Sequence, residues 1–147
     1  MPKSPPRLPD TITTPAYVLD VARLAANMAT ADRIRRESGA KVLLATKAWA
    51  MPDAFPMMRD HLDGTTASGE QEARLGAEEF GKEVHVYAPA YAPGEVERLV
   101  AIADHIYFNS PSQIARHLPV VKAARRKVGI RVNPGYSNAT LGGALYD

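Results

Sequence analysis

A chain of 147 residues with 18 Lys and Arg against 16 Asp and Glu carries a formal net charge of +2, too small to argue for a polyanionic partner. It has no cysteine, which removes disulfides, thiolate nucleophiles and cysteine metal sites. No window approaches the roughly 20 apolar residues needed to span a bilayer.

The opening "MPKSPPRLPD" has charge and prolines but no apolar core, so it does not read as a signal peptide. Residues 1–13 are expected to form a flexible lead-in to one domain over 14–147, in a soluble, cytoplasmic protein. "AYVLD" (Ala16 to Asp20) reads as a short strand. Asp20 then caps a helix through about Ser38, with Leu24, Met28, Ala31 and Ile34 on one face and Gly39 as its stop. "VLLATKA" is the next strand, followed after Pro52 by a short helical stretch. "GTTAS" (Gly64 to Ser68) is a compact strand end, and "EQEARLGAEEF" is a helix closed by Gly81. "EVHVYAP" is a strand, "PGEVERLVAIA" a helix with Pro93 near its start, and "HIYFNS" a strand. "PSQIARHLPVVKAAR" reads as a helix broken or kinked at Pro119, and "VGIRVNP" as a last strand.

Strands at intervals of 20 to 30 residues, each followed by a helix, mean βαβ units and a parallel sheet. Such an order fits a doubly wound sheet or part of a (β/α)8 barrel. The phosphate fingerprints of doubly wound nucleotide folds are absent. Polar residues recur at strand C-termini (Lys47, Thr66 with Ser68, Asn109 with Ser110, and Asn133), where barrels build their sites. The α/β class is therefore expected to be the N-terminal part of a TIM barrel, since a complete one takes about 250 residues. The glycine-rich closing stretch "NPGYSNATLGGALYD" fits that expectation; a small α/β domain with a disordered tail is the alternative.

The basic runs "RIRR" (Arg33 to Arg36) and "ARRK" (Ala124 to Lys127) fall near helix ends, where cations complement the dipole. With no aromatic-rich basic groove beside them, neither nucleic acid nor membrane is expected as a partner. The four histidines (His61, His85, His105 and His117) lie on different elements without metal-ligand spacing, so no metal is expected and a bland strand role is read for His85. There is no G-x-S-x-G elbow.

Lys47 is the exception. It stands at the end of an apolar strand, two residues before the single tryptophan, Trp49. An ammonium drawn out of water costs several kcal/mol unless paired, neutralised or used covalently. Either Lys47 snorkels to water along its methylenes, or it is an amine of lowered pKa that forms a Schiff base with a carbonyl.

The segments "TPAYVLD", "LLATKAWA", "GTTASGEQEARLGAEEFGKEVHVYAPAY", "DHIYFNSPSQIARH" and "GIRVNPGYS" closely resemble the carboxynorspermidine decarboxylases. These belong to the alanine-racemase-like, fold-type III group of pyridoxal-phosphate enzymes, with the ornithine and diaminopimelate decarboxylases. The resemblance runs from about Thr14 to the end of the sequence. It implies that the cofactor is pyridoxal 5'-phosphate, that Lys47 holds it covalently, and that Ser68 and Glu72 approach it from the neighbouring strand end. Arg131 matches a strand arginine placed near the cofactor. A dipole-favoured first-turn carboxylate remains open for Glu72, and an ordinary strand-end cation for Arg131. The resemblance further implies a carboxylated polyamine substrate, decarboxylated to norspermidine or spermidine, and a homodimer at full length. In that group the ring-stacking histidine, the phosphate loop, the acid at the ring nitrogen and the C-terminal β-domain fall beyond the position of Asp147, so that β-domain is expected to be absent here. Another fold-type III decarboxylase or racemase, or a non-catalytic pyridoxal-phosphate carrier, is the alternative.

Overall fold

A computed structural model of the chain describes residues 11–136. The proline-rich opening (1–10) and most of the glycine-rich closing stretch (137–147) lie outside the described residues.

The first helix, α1 (Val21–Ser38), starts and stops where its sequence says it should. The Asp20 carboxylate accepts from the Arg23 backbone N–H, satisfying one of the donors a helix start leaves free. Gly39 ends it in the left-handed conformation (φ 69°), where a side chain would be strained, and donates back to the Arg35 carbonyl. Leu24 and Met28 are buried, but Ile34 is 48% exposed, so the apolar stripe stops short of the last turn. "AYVLD" is not a strand: among the described residues its backbone has no ladder partner, and Tyr17 stands 97% exposed. Side-chain pattern alone does not make a strand without a neighbouring edge to bond.

Among the described residues five strands follow: β1 (Leu43–Ala45), β2 (Gly64–Ala67), β3 (Glu83–Tyr87), β4 (His105–Phe108) and β5 (Lys127–Ile130). All pair in parallel, in the order β1-β2-β3-β4-β5. A strictly sequential order has no reversal point, unlike a doubly wound sheet, and right-handed crossovers then put every helix on one face. This is the wall of a barrel rather than a doubly wound sheet.

The connections are helical: α2 (Phe55–Arg59) after a 3₁₀ turn at Pro52–Ala54, α3 (Glu70–Leu75), α4 (Glu95–Leu99) and α5 (Pro111–Ala123). α3 runs into a π-helical turn, Gly76–Phe80, before Gly81 stops it. α4 is shorter than its sequence suggests. α5 is not broken at Pro119: it runs unbroken to Ala123, with Val121 fully buried beyond the proline.

Pleating sorts the strands into two faces. Ala67, Val84, Val86, Ile106 and Phe108 point at the helices and pack with Ala73, Val96, Leu99 and Val121. A second core joins Leu24 and Met28 of α1 to Phe55, Met58, Leu62 and Phe80, with the Phe55 and Phe80 rings edge to face at 5.3 Å. The other face is polar and aromatic: Thr66 pairs with His85, His85 with His105, Tyr87 with Tyr107, and Tyr107 with Gly129. At Gly129 a Cβ would overlap the Tyr107 ring, so glycine lets that ring lie flat across β5.

Candidate functional site

β1 ends at Ala45, and the chain turns at once: Ala48 and Trp49 both donate to the Ala45 carbonyl, at 3.0 and 3.2 Å. Lys47 sits in this turn and is exposed, so it does not end the strand with a buried ammonium. The desolvation premise for Lys47 is overturned. Among the described residues its amine has no hydrogen-bond or ion-pair partner, and Lys47 lines an open cavity instead. Trp49 packs against the α1–α2 core rather than over the amine and fixes the far side of the turn.

The near side is held by Thr46, which is 2% exposed. Its N–H donates to the Thr66 carbonyl at 3.1 Å, and its hydroxyl lies 2.9 Å from Glu72 Oε2 and 3.1 Å from the same carbonyl. Glu72 Oε2 also accepts from the Ser68 N–H at 2.9 Å. The Glu72 carboxylate thus ties the ends of β1 and β2 together from the first turn of α3. Neither Ser68 nor Glu72 lines the cavity beside Lys47.

That cavity, about 580 Å³, is walled by Lys47, Thr66, His85, Tyr87, Tyr107 and Arg131 at the C-terminal side of the sheet. Arg131 follows β5, its N–H bonded to the Phe108 carbonyl at 2.9 Å. Its guanidinium donates to the Tyr87 hydroxyl at 2.8 Å, and that hydroxyl donates to Asn109 Oδ1 at 2.9 Å. Of the other rim residues, Ser110 caps α5 and Asn133 accepts from the Gly135 N–H in a turn, so both have structural duties. Tyr91 locks the wall from behind, accepting from the Ala88 N–H and donating to the Tyr107 carbonyl at 2.8 Å.

Along the same face the sheet brings together residues that sequence spacing kept apart. His85 and His105, twenty residues distant, are opposite each other on β3 and β4, and their rings stack at 3.9 Å. His85 Nε2 is 3.2 Å from Glu83 Oε2 and His85 Nδ1 is 3.5 Å from the Tyr107 hydroxyl. Lys41 pairs with the other Glu83 oxygen, and Lys41 first, then His85, hold that carboxyl down at about 2. Burial, then the neighbouring His85 and Lys127, push the His105 imidazole below its ordinary value. The available signal was a histidine two residues before a tyrosine in both "HVY" (His85 to Tyr87) and "HIY" (His105 to Tyr107), which becomes informative only once strand register is known.

An amine, a guanidinium across the cavity and two phenol rings between them suit a flat aromatic aldehyde that carries an anionic group: the amine takes the carbonyl, the rings its faces, the guanidinium its charge. Pyridoxal phosphate has that chemistry, so the donor set fits it.

No family model matches the chain. It is 43% identical over 132 residues to the carboxyaminopropylagmatine decarboxylase of Synechocystis sp., covering 90% of this chain and 34% of that protein. It is 43% identical over 130 residues to a carboxynorspermidine/carboxyspermidine decarboxylase of Herminiimonas arsenicoxydans, covering 88% and 35%. The crystal structure of carboxynorspermidine decarboxylase from Campylobacter jejuni, complexed with norspermidine, superposes with a TM-score of 0.82 at 35% identity, over 86% of this chain and 34% of that one. The chain spans about a third of the length of the curated relatives it matches.

Proposed function

We propose that this chain is the lysine-bearing part of a pyridoxal 5'-phosphate-dependent decarboxylase of polyamine biosynthesis, acting on carboxynorspermidine or carboxyspermidine. The observation that carries the reading is the cavity itself, where an exposed Lys47 amine and the Arg131 guanidinium share one aromatic-walled space at the C-terminal side of a sequentially ordered parallel sheet. The likeness to decarboxylases of carboxylated polyamines supports the substrate class.

In this reading Lys47 supplies the amine that binds the cofactor's aldehyde. Tyr87 and Tyr107 flank its ring, and Arg131, steadied by Tyr87, meets an anionic group of cofactor or substrate. Ser68 and Glu72 act by holding the turn that carries Lys47. When bound, pyridoxal phosphate supplies the sink for the electron pair released as carbon dioxide leaves. The wall residues orient the bond to be broken, and a polyamine substrate is held by contacts to its amines. A homodimer at full length and a cytoplasmic location belong to the same reading.

Carboxyaminopropylagmatine is a second substrate reading, favoured by the equal 43% identity to the Synechocystis protein. The test is cofactor uptake by the chain, followed by its absorbance and fixed with borohydride. The reading expects the label on Lys47 and none in Lys47→Ala; a label of equal yield in that variant overturns it. Assaying the full-length protein with the three carboxylated amines separates the substrates.

A further inference from the structure

Glu83, His85 and Tyr107 are three side chains in series that open on the Lys47 cavity, and nothing in the proposed decarboxylation yet uses the first two. Glu83 is held ionised by Lys41. Its Oε2, 3.2 Å from His85 Nε2, makes that nitrogen the proton-bearing one. Nδ1 is then an acceptor, 3.5 Å from the Tyr107 hydroxyl, which donates to it. With its proton turned inward, Tyr107 offers the cavity an oxygen lone pair, the group that receives an N–H.

A carboxylate orienting an imidazole that accepts from a hydroxyl is the arrangement that turns a weak hydroxyl into a base. We propose that Glu83, His85 and Tyr107 form a proton relay that serves as general base for an amine ligand in the Lys47 cavity. The proposal rests on the preceding reading, in which the ligand is an amine that must be neutral to attack a carbonyl. As the ligand's ammonium N–H bond breaks, its electron pair stays on nitrogen and its proton bonds to Tyr107 Oη. The former Tyr107 proton passes to His85 Nδ1, and the Glu83 carboxylate balances the imidazolium. The reverse transfer resets the relay.

The surrounding groups favour this use. His105, stacked on His85, has its imidazole pushed below the ordinary value by burial first and then by its neighbours, so it competes less for the transferred proton. Lys41 and Lys127 lie on the Glu83 and His105 side, and Lys47 and Arg131 line the cavity. Glu83, His85 and His105 also have the composition of a divalent-metal site. The Lys41 ammonium on Glu83 and Lys127 beside His105 place positive charge where a cation would have to enter, which favours the relay.

Two measurements on the full chain test it. The first needs no cofactor: nitrogen-detected NMR of the histidines should find His85 protonated at Nε2 and free at Nδ1, with the Nδ1 signal shifting in Tyr107→Phe. A proton resident on Nδ1, or a His85 signal untouched by Tyr107→Phe, overturns the relay whatever the cofactor does. The second uses the chain loaded with pyridoxal phosphate and norspermidine as the amine. Stopped-flow absorbance should show wild-type exchange levelling off above the histidine range. In Tyr107→Phe, and in His85→Asn as a second variant, the rate should keep rising about tenfold per pH unit toward the amine's own value of about 10. Profiles that match wild type in both variants overturn the relay. Absence of any cofactor on Lys47 in the wild type refutes the decarboxylase reading instead, leaving the NMR result to decide the relay.

Discussion

Thr46 is nearly inaccessible to solvent, and the residue after it, Lys47, is open to it. The first fixes the direction of the second, since its N–H donates to the Thr66 carbonyl at the end of β2 and its hydroxyl lies between that carbonyl and Glu72. A carboxylate that accepts from a hydroxyl and from the Ser68 N–H makes charge-assisted bonds worth about 1.5–3 kcal/mol. Glu72→Ala leaves a buried hydroxyl with one acceptor fewer and frees the turn. The expected outcome is a loss of about 1–3 kcal/mol in urea unfolding, together with weaker cofactor uptake on Lys47. Glu72→Gln, which keeps an acceptor oxygen, should recover part of both. Unchanged stability in Glu72→Ala would return this residue to the role of an ordinary first-turn carboxylate. Lys47 and Arg131 were legible as rim candidates because the segments that carry them stand out in the sequence, and both line the cavity. His85 and Tyr107 were not, because what makes them neighbours is the β3–β4 register, which brings Tyr87 opposite Tyr107 and His85 opposite His105.

Elements were legible where they carry their own punctuation. Asp20 and Gly39 bracket α1, and Gly81 stops the helix after β2. Misreadings came where tertiary contacts overrule local signals. "AYVLD" has a strand's side chains but no partner among the described residues. α5 passes through Pro119 because the buried Val121 rewards continuing the helix onto the sheet. A proline inside a helix removes one N–H and crowds the preceding turn, at a cost of about 3 kcal/mol. At Pro119, which is exposed, the lost bond is the one the Ala115 carbonyl would have accepted. Pro119→Ala should therefore raise stability by about 1–3 kcal/mol, read as a higher urea midpoint with unchanged slope. A lower midpoint would mean that Pro119 holds α5 in a bend the packing requires.

On the scale of the whole molecule, the two faces of the sheet behave differently toward acid. The helix-facing side of the strands is lined by the apolar side chains Ala67, Val84, Val86, Ile106 and Phe108. The opposite side carries His105, whose imidazole resists protonation, and Glu83, whose carboxyl is held at about 2 by Lys41 and then His85. The sign is the same for both. Below about 6.5 the unfolded chain takes a proton on His105 that the folded chain refuses, so folding weakens as pH falls. From about 4.3 downward the unfolded chain protonates Glu83 while the folded chain keeps its carboxylate until about 2, and folding weakens again. Glu70, held ionised by Arg98 and then Arg74, adds to the second stage. Urea midpoints should therefore fall in two steps, between about pH 7.5 and 5.5 and again between about 4.5 and 2.5. His105→Gln should flatten the first step while leaving the second, and Glu83→Gln should shrink the second at the expense of the Lys41 pair. A midpoint that holds or rises from about pH 7.5 to 5.5 would mean that the stacked histidines accept the proton in the folded chain. Glu83 would then be neutralising an imidazolium at rest, and Tyr107 would have no acceptor on which to place its proton.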